Sequence, residues 1–130
     1  MKKWCCSILV VMVIALVGCS KPDPSEVVGQ TAKLYYDYLR EGRYSAFVDG
    51  MNFPDSIPEQ YRSQLVDNAK MYMAQQKKEH KGIQEIGIQN ATVDTAKHCA
   101  NVFLSFSYYD GTTEQILVPM VEKNGVWYMR

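Results

Sequence analysis

Residues 107–130 read SYYDGTTEQILVPMVEKNGVWYMR, and two dipeptides within them, Asp110-Gly111 and Asn124-Gly125, decide the fold. An Asx-Gly pair between alternating apolar residues is the strongest short-range hairpin signal. Val102, Leu104 and Phe106 alternate before the first turn; Ile116, Val118 and Met120 alternate after it. A two-residue loop would pair odd with even positions and set these rows on opposite faces. A three-residue loop, Tyr109-Asp110-Gly111 with Gly111 left-handed, sets both rows on one face and is the expected geometry. A two-residue turn at Asn124-Gly125 then places Met120 opposite Met129 and Glu122 opposite Trp127, so Trp127 and Met129 join the same core face.

The period of two extends upstream to Ile83. Four strands fit: Ile83–Val93, Lys97–Tyr108, Thr112–Glu122 and Val126–Arg130, with the first turn at Asp94-Thr95-Ala96. The second face carries Phe103, Leu117, Val121, Tyr109 and Tyr128 among Asn101, Ser105 and Ser107. A face this apolar is expected to be covered or to meet a partner, and Phe103, Leu117, Val121 and Tyr128 are its candidate interface. Pro119 in mid-strand implies a bulge or a free edge.

Before Ile83 the period is helical. Asp23-Pro24-Ser25-Glu26 supplies an N-cap, a Pro at the first helical position and a Glu at the third. Val27, Thr31, Leu34, Tyr35 and Tyr38 then recur at helical spacing, widened by Val28, Ala32 and Leu39, and Gly42 suits the residue after the C-cap. Tyr44 to Met51 fits a short second helix. Ser56-Ile57-Pro58-Glu59 reads as a capping box opening a third helix to about His80, with Tyr61, Leu65, Ala69, Tyr72, Met73 and Gln76 inward. Helices followed by an antiparallel meander make an α+β domain.

The N-terminus has another character. Lys2 and Lys3 precede an uncharged run, Ile8–Val17, too short for the roughly 20 apolar residues of a spanning helix and suited to a signal peptide. It ends in Leu16-Val17-Gly18-Cys19, which resembles the lipobox of bacterial lipoproteins. The resemblance implies residues 1–18 as signal peptide, a diacylglyceryl group and an acyl chain such as palmitate on Cys19, a tether over residues 19–23, and one domain over 24–130. Two or more chains anchor stably. Ser20 after the cysteine implies the outer membrane of a Gram-negative cell envelope. An ordinary secretory site at Gly18-Cys19-Ser20, cut before Lys21, is the alternative.

The chain balances 14 basic against 14 acidic residues; losing Lys2 and Lys3 leaves 12 against 14. That is no nucleic-acid footprint, nor a polybasic lipid-binding segment. Of four cysteines, Cys5 and Cys6 leave with the signal and Cys19 takes the lipid, so Cys99 stands alone and reads as a packed strand residue. His98 and Cys99, adjacent on a strand, point to opposite faces and cannot chelate together. The run Lys77–Lys81 reads as a helix terminus. No metal site and no cofactor is expected.

The order of a lipobox, Pro24-Ser25-Glu26-Val27-Val28, Leu34-Tyr35-Tyr36-Asp37-Tyr38-Leu39-Arg40-Glu41-Gly42-Arg43-Tyr44, a long helix and a meander closing Lys123-Asn124-Gly125-Val126-Trp127-Tyr128 resembles small bacterial lipoproteins with a cystatin-like or nuclear-transport-factor-2-like (NTF2-like) domain. The resemblance implies helices packed on a curved four-stranded antiparallel meander. It does not transfer an activity, because relatives include isomerase-like enzymes, ligand binders and dimerisation modules. A ketosteroid-isomerase-like or dehydratase-like enzyme would need a base among Asp37, Asp49, His98 and Glu114 and tyrosine donors; none falls in a catalytic motif. The expectation is therefore a lipid-anchored, non-enzymatic domain that binds a small apolar ligand, a protein partner or a second copy. Tyr35, Tyr38, Tyr61, Tyr72 and Tyr108 are its candidate pocket residues.

Overall fold

The computed structural model describes residues 22–54 and 56–130. The signal segment and Cys19 lie outside the described residues. Three helices, α1 (Pro24–Arg40), α2 (Tyr44–Asp49) and α3 (Glu59–His80), precede four strands, β1 (Ile83–Asp94), β2 (Cys99–Tyr108), β3 (Thr113–Lys123) and β4 (Val126–Met129). The strands form one antiparallel sheet in chain order, with the helices on one face.

Both Asx-Gly turns behave as read. Tyr108 N–H donates to Thr112 O across Tyr109-Asp110-Gly111, Gly111 has φ 91°, and Val102 faces Val118 while Leu104 faces Ile116. Asn124 and Gly125 both have positive φ (52° and 80°), the signature of a type I′ turn, with Met120 opposite Met129 and Glu122 opposite Trp127. Even positions of β2 and β3 and odd positions of β4 therefore build the core: Val102, Leu104, Phe106, Tyr108, Val118, Met120, Trp127 and Met129 are buried. Two bulges in β1, around Gln84 and Gln89, keep Ile83, Ile86, Ala91 and Val93 on that face despite their uneven spacing. The first turn is longer than expected. Asp94 pairs with Cys99, so Thr95–His98 form the loop, and Asp94 Oδ1 accepts from Lys97 N. His98 thus stands in a turn at φ 53° and not on a strand beside Cys99.

Asp23 caps α1 through Ser25 N, and Gly42 (φ 83°) ends it in a Schellman motif, with Arg43 N donating to Tyr38 O and Gly42 N to Leu39 O. The inward stripe is rotated from the expected one. Val28, Gly29, Ala32 and Leu39 are buried, whereas Leu34 is 46% exposed and Val27 faces outward. Gly29 sets the approach of α1 to the sheet: a Cβ there would stand 3.3 Å from Ile88 Cγ2. The expected cap at Ser56 does not form; α3 starts at Glu59 after Pro58 (φ −60°, ψ 146°). A cap at Ser56 would require Ile57 to be helical immediately before a proline, which the pyrrolidine ring disfavours. Tyr61, expected inward, is 49% exposed.

The free edge of β4 is protected. Met129 N donates to Gly50 O, Asn52 N to Met129 O, and the Tyr35 hydroxyl to Trp127 O at 2.6 Å. Pro119 lies one step beyond the β4 ladder, where Arg130 N donates to its carbonyl. Its missing N–H falls on the β4 side, past the last ladder pair, and leaves the pairing with β2 intact.

Candidate functional site

The rotated stripe of α1 presents Tyr36 and Leu39 inward, α2 contributes Phe47, and Met51 follows it. Opposite them α3 presents Leu65, Asn68, Ala69 and Tyr72, and β3 supplies Ile116. Together they line a cavity of about 480 Å³, a size and apolar character suited to a small molecule. Tyr36 is fixed by edge contacts with Phe47 (5.3 Å between ring centroids) and Phe106 (5.7 Å). Burial raises the pKa of the Tyr36 hydroxyl. Burial, then the neighbouring Tyr36 and Glu114, pushes Tyr72 up to about 12. Both phenols thus stay neutral and able to donate at physiological pH. Neither hydroxyl bonds to a side chain or carbonyl among the described residues, while Asn68 Oδ1 already accepts from Gln64 Nε2.

A polar cluster flanks this cavity. Tyr108 donates to Glu114 Oε1 at 2.5 Å, and burial first, then this bond to a carboxylate, raises its pKa. The His80 ring stacks on Tyr108 at 4.1 Å, and its Nδ1 lies 3.0 Å from Asp110 Oδ2. The hydroxyl and amide of Thr112, followed by His80, hold Asp110 down at about 2. The cluster ties the end of α3 to the β2–β3 hairpin.

Of the five tyrosines expected at a pocket, only Tyr72 lines the cavity. Tyr108 is buried beside it with its hydroxyl taken by Glu114, and Tyr35 is turned to the β4 edge. Tyr38 lies under the Arg43 guanidinium at 4.4 Å, and Tyr61 rests edge-on against Phe53 near the surface. Tyr36, Phe47, Met51 and Asn68 were not foreseen; Leu65 and Ala69 were expected inward on α3, though not as cavity lining. The signal for Tyr36 is its position four residues after Ala32 and three before Leu39, which places it on the buried stripe. The candidate bases are dispersed. Asp37 pairs with Lys33 on α1, Asp49 with Arg62, His98 with Glu122, and Glu114 accepts from Tyr108. Phe103, Leu117, Val121 and Tyr128 do share one face, on the side of the sheet away from the helices, where Leu117 is 50% exposed.

No protein-family model and no curated sequence matches the chain. Among solved structures it is similar to a protein described as an NTF2-like transpeptidase from Campylobacter jejuni. The TM-score is 0.61 at 16% identity, covering 77% of this chain and 94% of that one. Aln2 from a Streptomyces species aligns at a TM-score of 0.49 and 12% identity, over 85% of this chain and 90% of that one. Identity at this level speaks for architecture alone. Helices followed by an open, four-stranded antiparallel sheet, matched along nearly the whole Campylobacter structure, give this chain an NTF2-like fold.

Proposed function

We propose that this protein is a lipid-anchored binding domain of the cell envelope whose cavity takes a small apolar or aromatic molecule carrying a hydrogen-bond acceptor. The observation that carries the reading is the cavity between α1, α2, α3 and β3, walled by Tyr36, Phe47, Leu65 and Tyr72. Its apolar walls supply affinity by burial, and the neutral hydroxyls of Tyr36 and Tyr72 supply orientation. An NTF2-like fold is compatible with ligand binders and with isomerase-like enzymes. Asp37, Asp49 and His98 are engaged in ion pairs away from the cavity lining, and Glu114, which flanks the cavity, already accepts from Tyr108; this favours binding over catalysis. Leu16-Val17-Gly18-Cys19 supports attachment through Cys19, and Ser20 supports the outer membrane of a Gram-negative cell. The sheet face at Phe103, Leu117, Val121 and Tyr128, which no helix among the described residues covers, would then be available to a protein partner or a second copy.

Native mass spectrometry of the full-length protein, extracted from the cell envelope in detergent, tests the cavity. The expected result is a small-molecule adduct lost in Ala69→Phe, which fills the cavity, and weakened in Tyr72→Phe. Bare protein, or an adduct untouched by Ala69→Phe, would overturn the reading. The anchor has a separate test: Cys19→Ala should abolish labelling by radioactive fatty acid and release the protein from membranes.

A further inference from the structure

Four cations from two segments of the chain line one cleft where α1 and α3 both finish: Arg40 on α1, and Lys70, Lys77 and Lys81 along the last part and the C-cap of α3. The cleft encloses about 380 Å³, and no acidic side chain among the described residues lines it. General basicity does not explain this grouping, since the chain carries equal numbers of basic and acidic residues. Helix termini explain only part of it. Cations are favoured within the last turn of a helix, where backbone carbonyls are unpaired. Arg40, Lys77 and the C-cap residue Lys81 fit that account, but Lys70 lies well inside α3. Lys70, Lys77 and Lys81 form no ion pair with the described residues. Arg40 shares Asp37 with Lys33 and has Glu41 at 3.8 Å from its Nη2; its Nε stands 3.6 Å from Asp37, buried and without a hydrogen-bond partner.

The walls of the cleft are built from fixed parts. Lys81 is held in the left-handed region at φ 68° and is followed by Gly82 at φ 105°. The Tyr109 ring lies against Gly82, with Cδ2 3.5 Å from where a Cβ would be. Tyr109 N donates to Gly82 O and Asp110 N to His80 O, so the hairpin tip is anchored beside the lysines. Tyr44 gives a second aromatic wall.

We propose that this cleft binds a phosphate group, carried by a molecule whose aromatic or apolar part lies against Tyr44 and Tyr109. Lysines act on phosphate as point charges, and the Arg40 guanidinium adds positive charge at the rim of the cleft. A phosphomonoester, close to doubly charged at neutral pH, offsets the crowded cations more fully than one carboxylate does, and a singly charged phosphodiester headgroup still offers the lysines two charged oxygens. The phosphate belongs either to a soluble phosphomonoester or to a lipid headgroup.

The test is titration of the ¹⁵N-labelled full chain in non-ionic detergent micelles with three probes: inorganic phosphate, phenyl phosphate, and phosphatidylglycerol doped into the micelle. Amide shifts at Lys77, Lys81 and Gly82 report binding. The triple variant Lys70→Gln/Lys77→Gln/Lys81→Gln should bind about tenfold more weakly or worse, while Lys97→Gln/Lys123→Gln should bind as the parent does. Tyr109→Ala should weaken phenyl phosphate and leave inorganic phosphate unchanged. Saturation by phenyl phosphate alone assigns a soluble ligand; saturation by phosphatidylglycerol that the triple variant loses assigns a headgroup. No shift with any probe, or equal losses in the triple and the control variants, would overturn the proposal.

Discussion

A Cβ on Gly50 would stand 2.6–2.8 Å from the Tyr35 ring, closer than carbon atoms approach. Gly50 has an ordinary φ of −82°, so the constraint here is space and not backbone freedom. Gly50→Ala must push Tyr35 off Trp127 O while Gly50 O still holds Met129 N. We expect it to destabilise by about 1–3 kcal/mol in urea unfolding, in the range for overpacking a filled site. Tyr35→Phe removes only the hydrogen bond and should cost about 1 kcal/mol; equal costs for the two would show that packing contributes nothing. Tyrosine titration gives a second residue-scale outcome. Tyr72 is raised from 10.0 to about 12, and Tyr108 is raised as well. A raised folded-state pKa gives stability that is complete below the unfolded value near 10 and lost as pH climbs through the folded value. Stability measured in urea should therefore fall between pH 10 and 12, less steeply in Tyr72→Phe; a flat profile there would contradict it. The residues were legible but their surroundings were not: the Gly50 contact and the burial of Tyr72 and Tyr108 depend on packing between elements, and a helical stripe read from Val27 and Leu34 turns α1 by about one residue and hides Tyr36, the neighbour of Tyr72.

Elements were more legible than residues wherever local chemistry settled them. Asp110-Gly111 and Asn124-Gly125 fix turn type, turn type fixes register, and register assigns every side chain of β2, β3 and β4 to a face. The reading failed where two local signals competed, as at Ser56 with Pro58 behind it, and where irregularity leaves no composition mark, as in the two bulges of β1. The α3–hairpin junction joins elements 30 residues apart through His80 and Asp110 and could not be read from either alone. His80→Ala removes the stack on Tyr108 and the bond to Asp110. It should cost about 1 kcal/mol and speed hydrogen exchange at the Tyr109 and Asp110 amides, which donate to Gly82 O and His80 O. Unchanged exchange at both amides would mean that the two backbone bonds hold the tip without the imidazole.

The whole molecule joins a tightly packed part to a loosely held one. The sheet, α1 and α2 share a core in which Val28, Ala32, Val48, Val102, Leu104, Phe106 and Met120 are fully buried. In α3, 22 residues long, only Ala69 and Gln76 are buried; Met71 is 68% exposed, and the Gln76 Oε1 is enclosed without a hydrogen-bond partner. An enclosed, unpaired acceptor weakens the hold of that helix on the domain. The cavity lies under this same helix, so its walls come from residues up to 80 positions apart, Tyr36 to Ile116, and no sequence window contains them. Cooperative units with few buried apolar side chains open at lower free energy than the core. In native-state hydrogen exchange the α3 amides should therefore open several kcal/mol below those of β2 and β3, the two meeting only near global unfolding. A ligand that needs the cavity stabilises the closed form alone, so at 100 times its Kd it should raise α3 protection by about 2.7 kcal/mol and leave the sheet as the upper limit. Cavity-filling Ala69→Phe should abolish that gain. If α3 instead exchanges with the sheet at one common free energy, the helix is an integral wall and the cavity admits its ligand by some other path.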